Sequence, residues 1–149
     1  MKFEEQFTIV DFNPDDFQEI RALWVDLGIE TPERGDSLEV IQRTLEHGGR
    51  LLVLRKTDDN AIVGTSWISN DGRRLYLHHF AIAREFQRKG LGKRLLIDTL
   101  KYAKELNMQV KLEVGINNTP AIALYTKFGF KPLDGYMVYM IRDVKNLQL

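Results

Sequence analysis

The stretch Gln87-Arg88-Lys89-Gly90-Leu91-Gly92-Lys93-Arg94 decides how this sequence is interpreted. It follows an apolar run over residues 75–83, which predicts a strand, and it precedes a helical pattern of apolar residues over 91–106. Glycines let backbone N–H groups approach an anion, and a helix N-terminus and basic side chains add positive charge. The stretch therefore predicts a binding site for a di- or polyphosphate; the alternative is a solvated basic helix start.

Two well-known phosphate motifs do not fit this stretch. A P-loop needs Gly at position 87 and Ser or Thr at position 94, where this chain has Gln87 and Arg94. A dinucleotide fingerprint needs a third glycine at position 95, where this chain has Leu95. The pattern that remains is Gln-x-x-Gly-x-Gly over residues 87–92.

Length and composition restrict the possible classes. A chain of 149 residues is expected to form one domain over residues 1–149. Lys plus Arg and Asp plus Glu both number 21, so there is no basic surplus of the kind that nucleic-acid binders show. No cysteine is present, which excludes disulfides, thiolate metal sites and a cysteine nucleophile.

The histidines and the apolar runs argue against a metal site and a membrane span. The three histidines lack spaced partner ligands, and the adjacent His78 and His79 are predicted to point to opposite faces of a strand. No apolar run approaches the ~18–20 residues of a membrane span. The acidic N-terminal residues contain no apolar signal core. We therefore expect no metal, no membrane partner and a cytoplasmic location.

The order of predicted elements is strand, two helices, three antiparallel strands, long helix, strand, short helix and one or two final strands. Asp36 and Glu39 resemble a capping box at the start of the second helix. This order predicts an α/β (α+β) fold with a mixed sheet and helices on both faces. The strands are predicted over residues 7–10, 51–55, 61–69, 75–83, 110–114 and 136–141, and the long helix over 90–106.

A second motif lies over residues 112–130, with Asn118-x-x-Ala121 followed by Leu-Tyr-x-Lys-x-Gly-Phe over residues 124–130. With Gln-x-x-Gly-x-Gly, this pattern resembles the GCN5-related N-acetyltransferase (GNAT) family over about residues 51–141. The resemblance implies acetyl transfer from acetyl-CoA, as cosubstrate, to an amine. It also implies a mostly antiparallel central sheet in which strands 4 and 5 splay apart. Within the family, the second motif looks closest to enzymes that acetylate ribosomal protein N-termini.

The resemblance implies which residues contact acetyl-CoA. The basic stretch would hold the pyrophosphate, mainly through backbone N–H groups, and one strand would lie along the pantetheine arm, with an N–H near Ile82 polarising the thioester carbonyl. Asn118 would bond the cofactor or cap the last helix, and Phe80 and Ile82 are also consistent with core residues. The full set implied by the resemblance is Phe80, Ala81, Ile82, Gln87, Arg88, Lys89, Gly90, Leu91, Gly92, Lys93, Arg94, Asn118 and Tyr125.

The resemblance also assigns catalytic roles. Tyr125 matches the family's acid for the CoA thiolate, and its alternative is a packed helix aromatic. Glu113 matches a catalytic base of some relatives, and its alternative is a solvated strand residue; His78 or His79 would serve instead. Acidic residues over 26–36 would attract a cationic acceptor, or form an ordinary solvated loop.

Three functions remain open from the sequence. The first is an active N-acetyltransferase acting on a small-molecule or protein amine. The second is a non-catalytic acyl-CoA-binding or sensor module, which needs neither Tyr125 nor a base. The third is a nucleic-acid-binding domain, which the zero net charge disfavours. The sequence does not identify the acceptor. It also leaves open whether the protein is a monomer or a homodimer.

Overall fold

A computed structural model describes residues 2–149 as a five-stranded sheet with four α-helices. The sheet order is β1-β2-β3-β4-β5, in which neighbours pair antiparallel except for the parallel pair β4–β5. This confirms the mixed, mostly antiparallel sheet. The strands are β1 Phe7–Asp11, β2 Arg50–Lys56, β3 Ile62–Asn70, β4 Arg74–Ile82 and β5 Gln109–Leu112, and the helices are α1 Phe17–Asp26, α2 Leu38–Glu46, α3 Leu91–Leu106 and α4 Thr119–Lys127.

Helices cover both faces of the sheet. On one side, the α1/α2 face, Trp24 of α1 and Ile41 of α2 pack against Trp67 and other residues of the central strands. On the other side, the α3/α4 face, Leu96 of α3 and Tyr125 of α4 pack with strand residues such as Leu75, Leu77 and Ile68. Burial of these apolar side chains is the main favourable term that holds the helices to the sheet.

The second helix is capped by a different residue from the one predicted. The Ser37 hydroxyl accepts a hydrogen bond from the Val40 N–H at 3.3 Å, so Ser37 is the N-cap. The Asp36 carboxylate instead lies 3.1 Å from Nε2 of His79 in β4. The Asp36–Glu39 capping box is therefore wrong, because the helix begins one residue later and a tertiary contact takes the Asp36 side chain.

Strands β4 and β5 separate after a short paired stretch. Their register ends at the pair Leu77–Leu112, while β4 continues to Ile82 and β5 stops. We call the gap between residues 78–82 and residues 113–118 the β4–β5 opening. It confirms the predicted splay of strands 4 and 5. The strand predicted to reach residue 114 ends at Leu112, so Glu113 is the first residue of the segment that lines the opening.

A bulge in β4 lies at the mouth of this opening. Trp67 pairs with His78 and Thr65 with Ala81, so two residues of β4 face the single residue 66 of β3. His79 has a φ of +42°, which non-glycine side chains rarely adopt. Because of the bulge, the rings of both His78 and His79 lie beside Trp67, at 5.7 and 5.4 Å between centroids. The prediction that they point to opposite faces is wrong.

The last part of the chain, residues 131–149, contains no helix or strand. The strand predicted over 136–141 does not form, because this segment runs along the surface without pairing to a strand, with side chains from 59% to 83% exposed. Farther along, the Arg142 guanidinium donates to the Glu33 carbonyl at 3.3 Å.

Among residues 2–149, no helix has the length and apolar character needed to cross a membrane.

Candidate functional site

The basic stretch forms the start of α3, as predicted. Gly90 adopts a left-handed φ of +82° immediately before the helix, a conformation that favours glycine. The intrahelical ladder starts with the Arg94 N–H donating to the Gly90 carbonyl at 3.2 Å. The N–H groups of Leu91, Gly92 and Lys93 therefore have no acceptor within the helix. Together with the helix dipole, they form a positively polarised end suited to an anion.

Gly92 faces α4 and the end of β4. A Cβ added there would lie 3.5 Å from Cδ2 of Leu124 and 3.9 Å from Cγ1 of Ile82, which are ordinary contacts. Its φ is also not in the left-handed region. The fold therefore accepts a side chain at this position, and the glycine instead leaves the helix N-terminus open to close approach by a ligand.

The polar side chains of the stretch divide into two groups. The Arg94 guanidinium donates to the carbonyls of Glu4 and Phe7 at 2.6 and 2.9 Å, and the Gln87 side-chain amide donates to the Ile82 carbonyl at 2.8 Å. These two side chains brace the loop. Arg88, Lys89 and Lys93 are exposed, although the Lys89 ammonium lies 5.8 Å from the Phe3 ring centroid. The positive charge available to a ligand is that of these three residues.

The predicted pantetheine segment, residues 80–82, divides between the two faces of the sheet. Ala81 is buried on the α1/α2 face, whereas Ile82 is buried on the α3/α4 face. The half-buried ring of Phe80 meets Tyr125 edge-on at 5.8 Å. Core packing therefore accounts for all three side chains, and any contact with a ligand falls to the strand edge that β5 leaves unpaired.

Tyr125 closes the α3/α4 side of the opening. Its side chain lies between Phe80 and Phe130, whose ring centroids are 5.8 and 5.5 Å away. Burial raises the pKa of the phenol to about 12, so the hydroxyl stays protonated at neutral pH. Asn118 caps α4, with its side-chain oxygen accepting from the Ala121 N–H at 3.4 Å.

A polar cluster occupies the α1/α2 side of the opening. His78 Nε2 lies 2.8 Å from the Ser69 hydroxyl, and its ring stacks on Tyr76 at 4.6 Å and 15°. Burial, and then the neighbouring His79, lower the pKa of His78. Burial, and then Glu113, raise the pKa of Tyr76. Sequence reasoning missed Ser69 and Tyr76, although the period-2 alternation of paired antiparallel strands could have placed them with His78.

His79 lies deeper in the same region. Its ring is 4.3 Å from that of Trp24, and its side chain is only 7% exposed. Nε2 faces Asp36 outside hydrogen-bond geometry, and Nδ1 has no hydrogen-bond partner within residues 2–149. The Trp24 indole donates to the Thr65 hydroxyl, which donates to the His79 carbonyl, both at 2.8 Å. This chain of bonds holds the bulge in place.

Two of the four carboxylates over residues 26–36 lie near arginines. Asp26 lies 3.7 Å from Arg84, and Glu30 lies 3.9 Å from Arg21. Asp36 faces the buried His79. The predicted attraction of a cationic acceptor by this loop is therefore weaker than the count of carboxylates suggests.

Comparison with known proteins identifies relatives of this arrangement. The family model described as acetyltransferase (GNAT) family matches residues 16–130. A probable spermine N(1)-acetyltransferase from Bacillus subtilis subsp. natto is 38% identical over 64 residues, which span 42% of this chain and 42% of that protein. The match therefore covers less than half the length of this curated relative.

Solved structures share the fold. A GNAT-family acetyltransferase from Staphylococcus aureus superposes with a TM-score of 0.76 at 21% identity, covering 84% of this chain and 83% of that one. A GNAT-family acetyltransferase from Elizabethkingia anophelis, solved with acetyl-CoA bound, superposes with a TM-score of 0.63 at 25% identity. That match covers 87% of this chain and 79% of the other.

Proposed function

Because the chain belongs to the GNAT acetyltransferase family, we propose that it transfers an acetyl group from acetyl-CoA to the primary amine of a small molecule or protein. The observation that carries this proposal is the N-terminus of α3. Its first N–H groups lack helical acceptors, its second residue is Gly92, and it lies beside the β4–β5 opening.

The residues present fit acetyl-CoA as a cosubstrate. Its pyrophosphate matches the N–H groups of residues 91–93, with Arg88, Lys89 and Lys93 contributing charge from exposed side chains. Its pantetheine arm matches the strand edge over residues 80–82, which β5 leaves unpaired. Acetyl-CoA supplies the acetyl group as an activated thioester.

Tyr125 is proposed as the acid for the departing thiolate. Burial raises its pKa to about 12, well above that of a thiol, so the phenol retains its proton until a thiolate develops beside it. Its contacts with Phe80 and Phe130 fix the ring and so aim the hydroxyl. Packing and proton donation are compatible roles for this side chain.

Glu113 is proposed as the base for the acceptor. An aliphatic amine is mostly ammonium at neutral pH and must lose a proton before it attacks a carbonyl. Glu113 is exposed and follows the last paired residue of β5, so its carboxylate lies at the opening. A charged carboxylate there would both attract the ammonium group and take its proton.

The acceptor is proposed only as a class. The Bacillus subtilis relative is a probable spermine N(1)-acetyltransferase, but the match spans 42% of it. Two carboxylates of the acidic loop are engaged by arginines, so that loop does not by itself specify a polycation. We therefore propose primary amines in general, with a polyamine as one candidate.

The experiment combines calorimetry with turnover. Acetyl-CoA is titrated into the wild-type protein and into Gly92→Leu, a change that fills the approach to the α3 N-terminus. We expect binding by the wild type and at least about a tenfold weaker affinity in the variant, or about 1.4 kcal/mol. Turnover is then followed as release of CoA thiol with spermine, a tripeptide with a free N-terminus and Nα-acetyl-lysine amide.

The controls separate the proposal from its alternative. Thermal melting of Gly92→Leu must show a cooperative transition, which establishes that the variant is folded. Gly92→Ala, whose Cβ makes only ordinary contacts, is the milder companion variant. Binding of acetyl-CoA without acetylation of any probe amine would favour a non-catalytic acyl-CoA-binding module. Failure of the wild type to bind acetyl-CoA would contradict the proposed function.

A further inference from the structure

Resting on the proposed function, we propose that His78, oriented by Ser69, is the group that finally holds the proton removed from the acceptor amine. Glu113 meets the ammonium group and passes its proton to His78. The two side chains thus form a relay on the α1/α2 side of the β4–β5 opening, opposite Tyr125.

The strand register brings the two groups together. Leu77 and Leu112 are the last paired residues of β4 and β5, so His78 of β4 and Glu113, the first residue after β5, directly follow this pair. The Glu113 carboxylate interacts with the Tyr76 phenol and acts electrostatically on His78, so it lies on the same side of the sheet as these two side chains. His78 and Glu113 therefore flank the point at which the strands separate, on the α1/α2 side.

The Ser69 hydroxyl orients the imidazole, because it can accept from Nε2–H or donate to an unprotonated Nε2. It lies 2.8 Å from His78 Nε2. When Nε2–H donates to Ser69, Nδ1 carries the lone pair and is the basic atom. Stacking on Tyr76 at 4.6 Å and 15° holds the ring plane. Ser69 is therefore a positioning residue, which acts through His78.

The groups around His78 determine how readily its imidazole is protonated. Burial, and then the adjacent His79 of β4, lower the pKa of His78, whereas Asp36 before α2 and Glu113 after β5 act in the opposite direction. Tyr76 stacks on it and Trp67 of β3 lies beside it. The imidazole is therefore unprotonated at neutral pH, as a proton acceptor must be, and the two carboxylates stabilise the imidazolium that forms during transfer.

The step balances without any further reactant. An N–H bond of the acceptor ammonium breaks and an O–H bond forms on Glu113. That proton then moves to Nδ1 of His78, which becomes an imidazolium, and Glu113 recovers its charge. The neutral amine keeps its lone pair for attack on the thioester. After transfer, the imidazolium releases the proton to water in the opening.

His79 is excluded from this role by its surroundings. Both ring nitrogens are buried, and the ring lies against Trp24 and Trp67. The His78 ring, by contrast, has Nε2 beside Ser69, and neither of its nitrogens is a buried atom without a partner among residues 2–149. A group that exchanges protons with an acceptor and with water needs access to both, so the relay ends at His78.

The kinetic test uses His78→Gln. The glutamine amide preserves a partner for Ser69 but removes the titrating nitrogen. We expect kcat with the best of the three probe amines to fall about 100-fold at neutral pH, with the KM for acetyl-CoA unchanged. The loss should disappear as the pH rises above the pKa of that amine, when no base is needed.

The matched control, His47→Gln, changes an exposed histidine at the end of α2 and should behave as wild type.

Two kinetic outcomes would overturn the proposal. One is full activity of His78→Gln at neutral pH. The other is a loss that persists at high pH, since a merely structural defect would not be rescued by deprotonating the substrate.

A second measurement needs no acceptor. Imidazole ¹⁵N NMR of the free protein reports which ring nitrogen carries the proton. We expect His78 in the Nε2–H form in the wild type and a mixture of forms in Ser69→Ala. The Nδ1–H form in the wild type would overturn the relay. If no probe amine is acetylated, the proposed function fails while this measurement still decides the state of His78.

Discussion

The two sides of the β4–β5 opening differ in the groups that they bury. On the α3/α4 side, Tyr125 sits among aromatic rings, near the unpaired N–H groups at the start of α3. On the α1/α2 side, His78, His79, Asp36 and Glu113 gather around one strand junction. The surroundings of Tyr125 are mainly apolar, whereas the second side is rich in groups that titrate.

This difference originates in the bulge of β4. In a regular strand, His78 and His79 would point to opposite faces. The extra residue instead places both on the α1/α2 side and turns Phe80 toward Tyr125. A single irregularity thus keeps histidines away from the side proposed to hold the thioester. This separation suits a reaction in which the leaving thiolate needs an acid on one side of the opening and the amine needs a base on the other.

The largest expected effect tests the α3/α4 side. Tyr125→Phe keeps the ring packing but removes the proton donor, so we expect kcat to fall about 100-fold while the acetyl-CoA affinity measured by calorimetry stays within about twofold. Tyr102→Phe is the matched control, because the Tyr102 hydroxyl donates to the Gly48 carbonyl at 2.8 Å, away from the opening. Unchanged turnover in Tyr125→Phe would remove Tyr125 from the mechanism.

The second effect compares buried hydroxyls on the two faces. Thr65→Val should leave both the Trp24 indole N–H and the His79 carbonyl without their partner. We expect the free energy of unfolding, measured by urea denaturation, to fall by about 2 kcal/mol. The bulge should also loosen, which would appear as shifted His79 resonances in NMR spectra.

Ser66→Ala is the counterpart on the α3/α4 face. Ser66 bonds the Thr99 hydroxyl at 2.7 Å, but Thr99 also donates to the Leu95 carbonyl. Because Thr99 keeps that acceptor, we expect a loss of about 1 kcal/mol at most. If Thr65→Val and Ser66→Ala lowered the free energy of unfolding equally, the bonds from Trp24 through Thr65 to His79 would stabilise the protein no more than the Ser66–Thr99 bond does.

A smaller effect separates the two glycines of the basic stretch. Gly90→Ala should destabilise the protein by about 1–2 kcal/mol, because φ is +82° there. Gly92→Ala should stabilise it by up to about 1 kcal/mol, since alanine favours the helix and its Cβ makes ordinary contacts. Both changes should weaken acetyl-CoA binding in calorimetry. Destabilisation by Gly92→Ala would contradict the view that this glycine serves the ligand rather than the fold.

Local patterns allowed much of this to be predicted from the sequence. The start of α3 at the basic stretch depends on residues within a few positions, so the sequence reveals it directly. Of the two interpretations of Asn118, the structure shows the helix cap. The separation of β4 from β5 came from the family resemblance. The roles of Tyr125 and Glu113 remain predictions that the proposed kinetics will test.

The features that sequence reasoning missed depend on distant parts of the chain. The bulge at His79 is held by Thr65 and Trp24 and faces Asp36, and no local pattern connects these positions. The strand predicted over residues 136–141 has the apolar composition of a strand, but a strand requires a hydrogen-bonded neighbour that composition cannot supply. The bulge in β4 and the absence of a strand over residues 136–141 both depend on tertiary contacts, which the local sequence does not reveal.

The smallest effect concerns the pH dependence of stability on the α1/α2 side. Burial lowers the pKa of His78 in the folded protein, so the unfolded chain binds more protons than the folded one below about pH 6.5. The free energy of unfolding should therefore fall as the pH drops from that value toward the folded-state pKa. His78→Gln removes this contribution, so its urea midpoint should fall less than that of the wild type between about pH 7.5 and pH 5. His47→Gln should keep the wild-type dependence, and an identical dependence in His78→Gln would show that His78 is not held neutral by its burial.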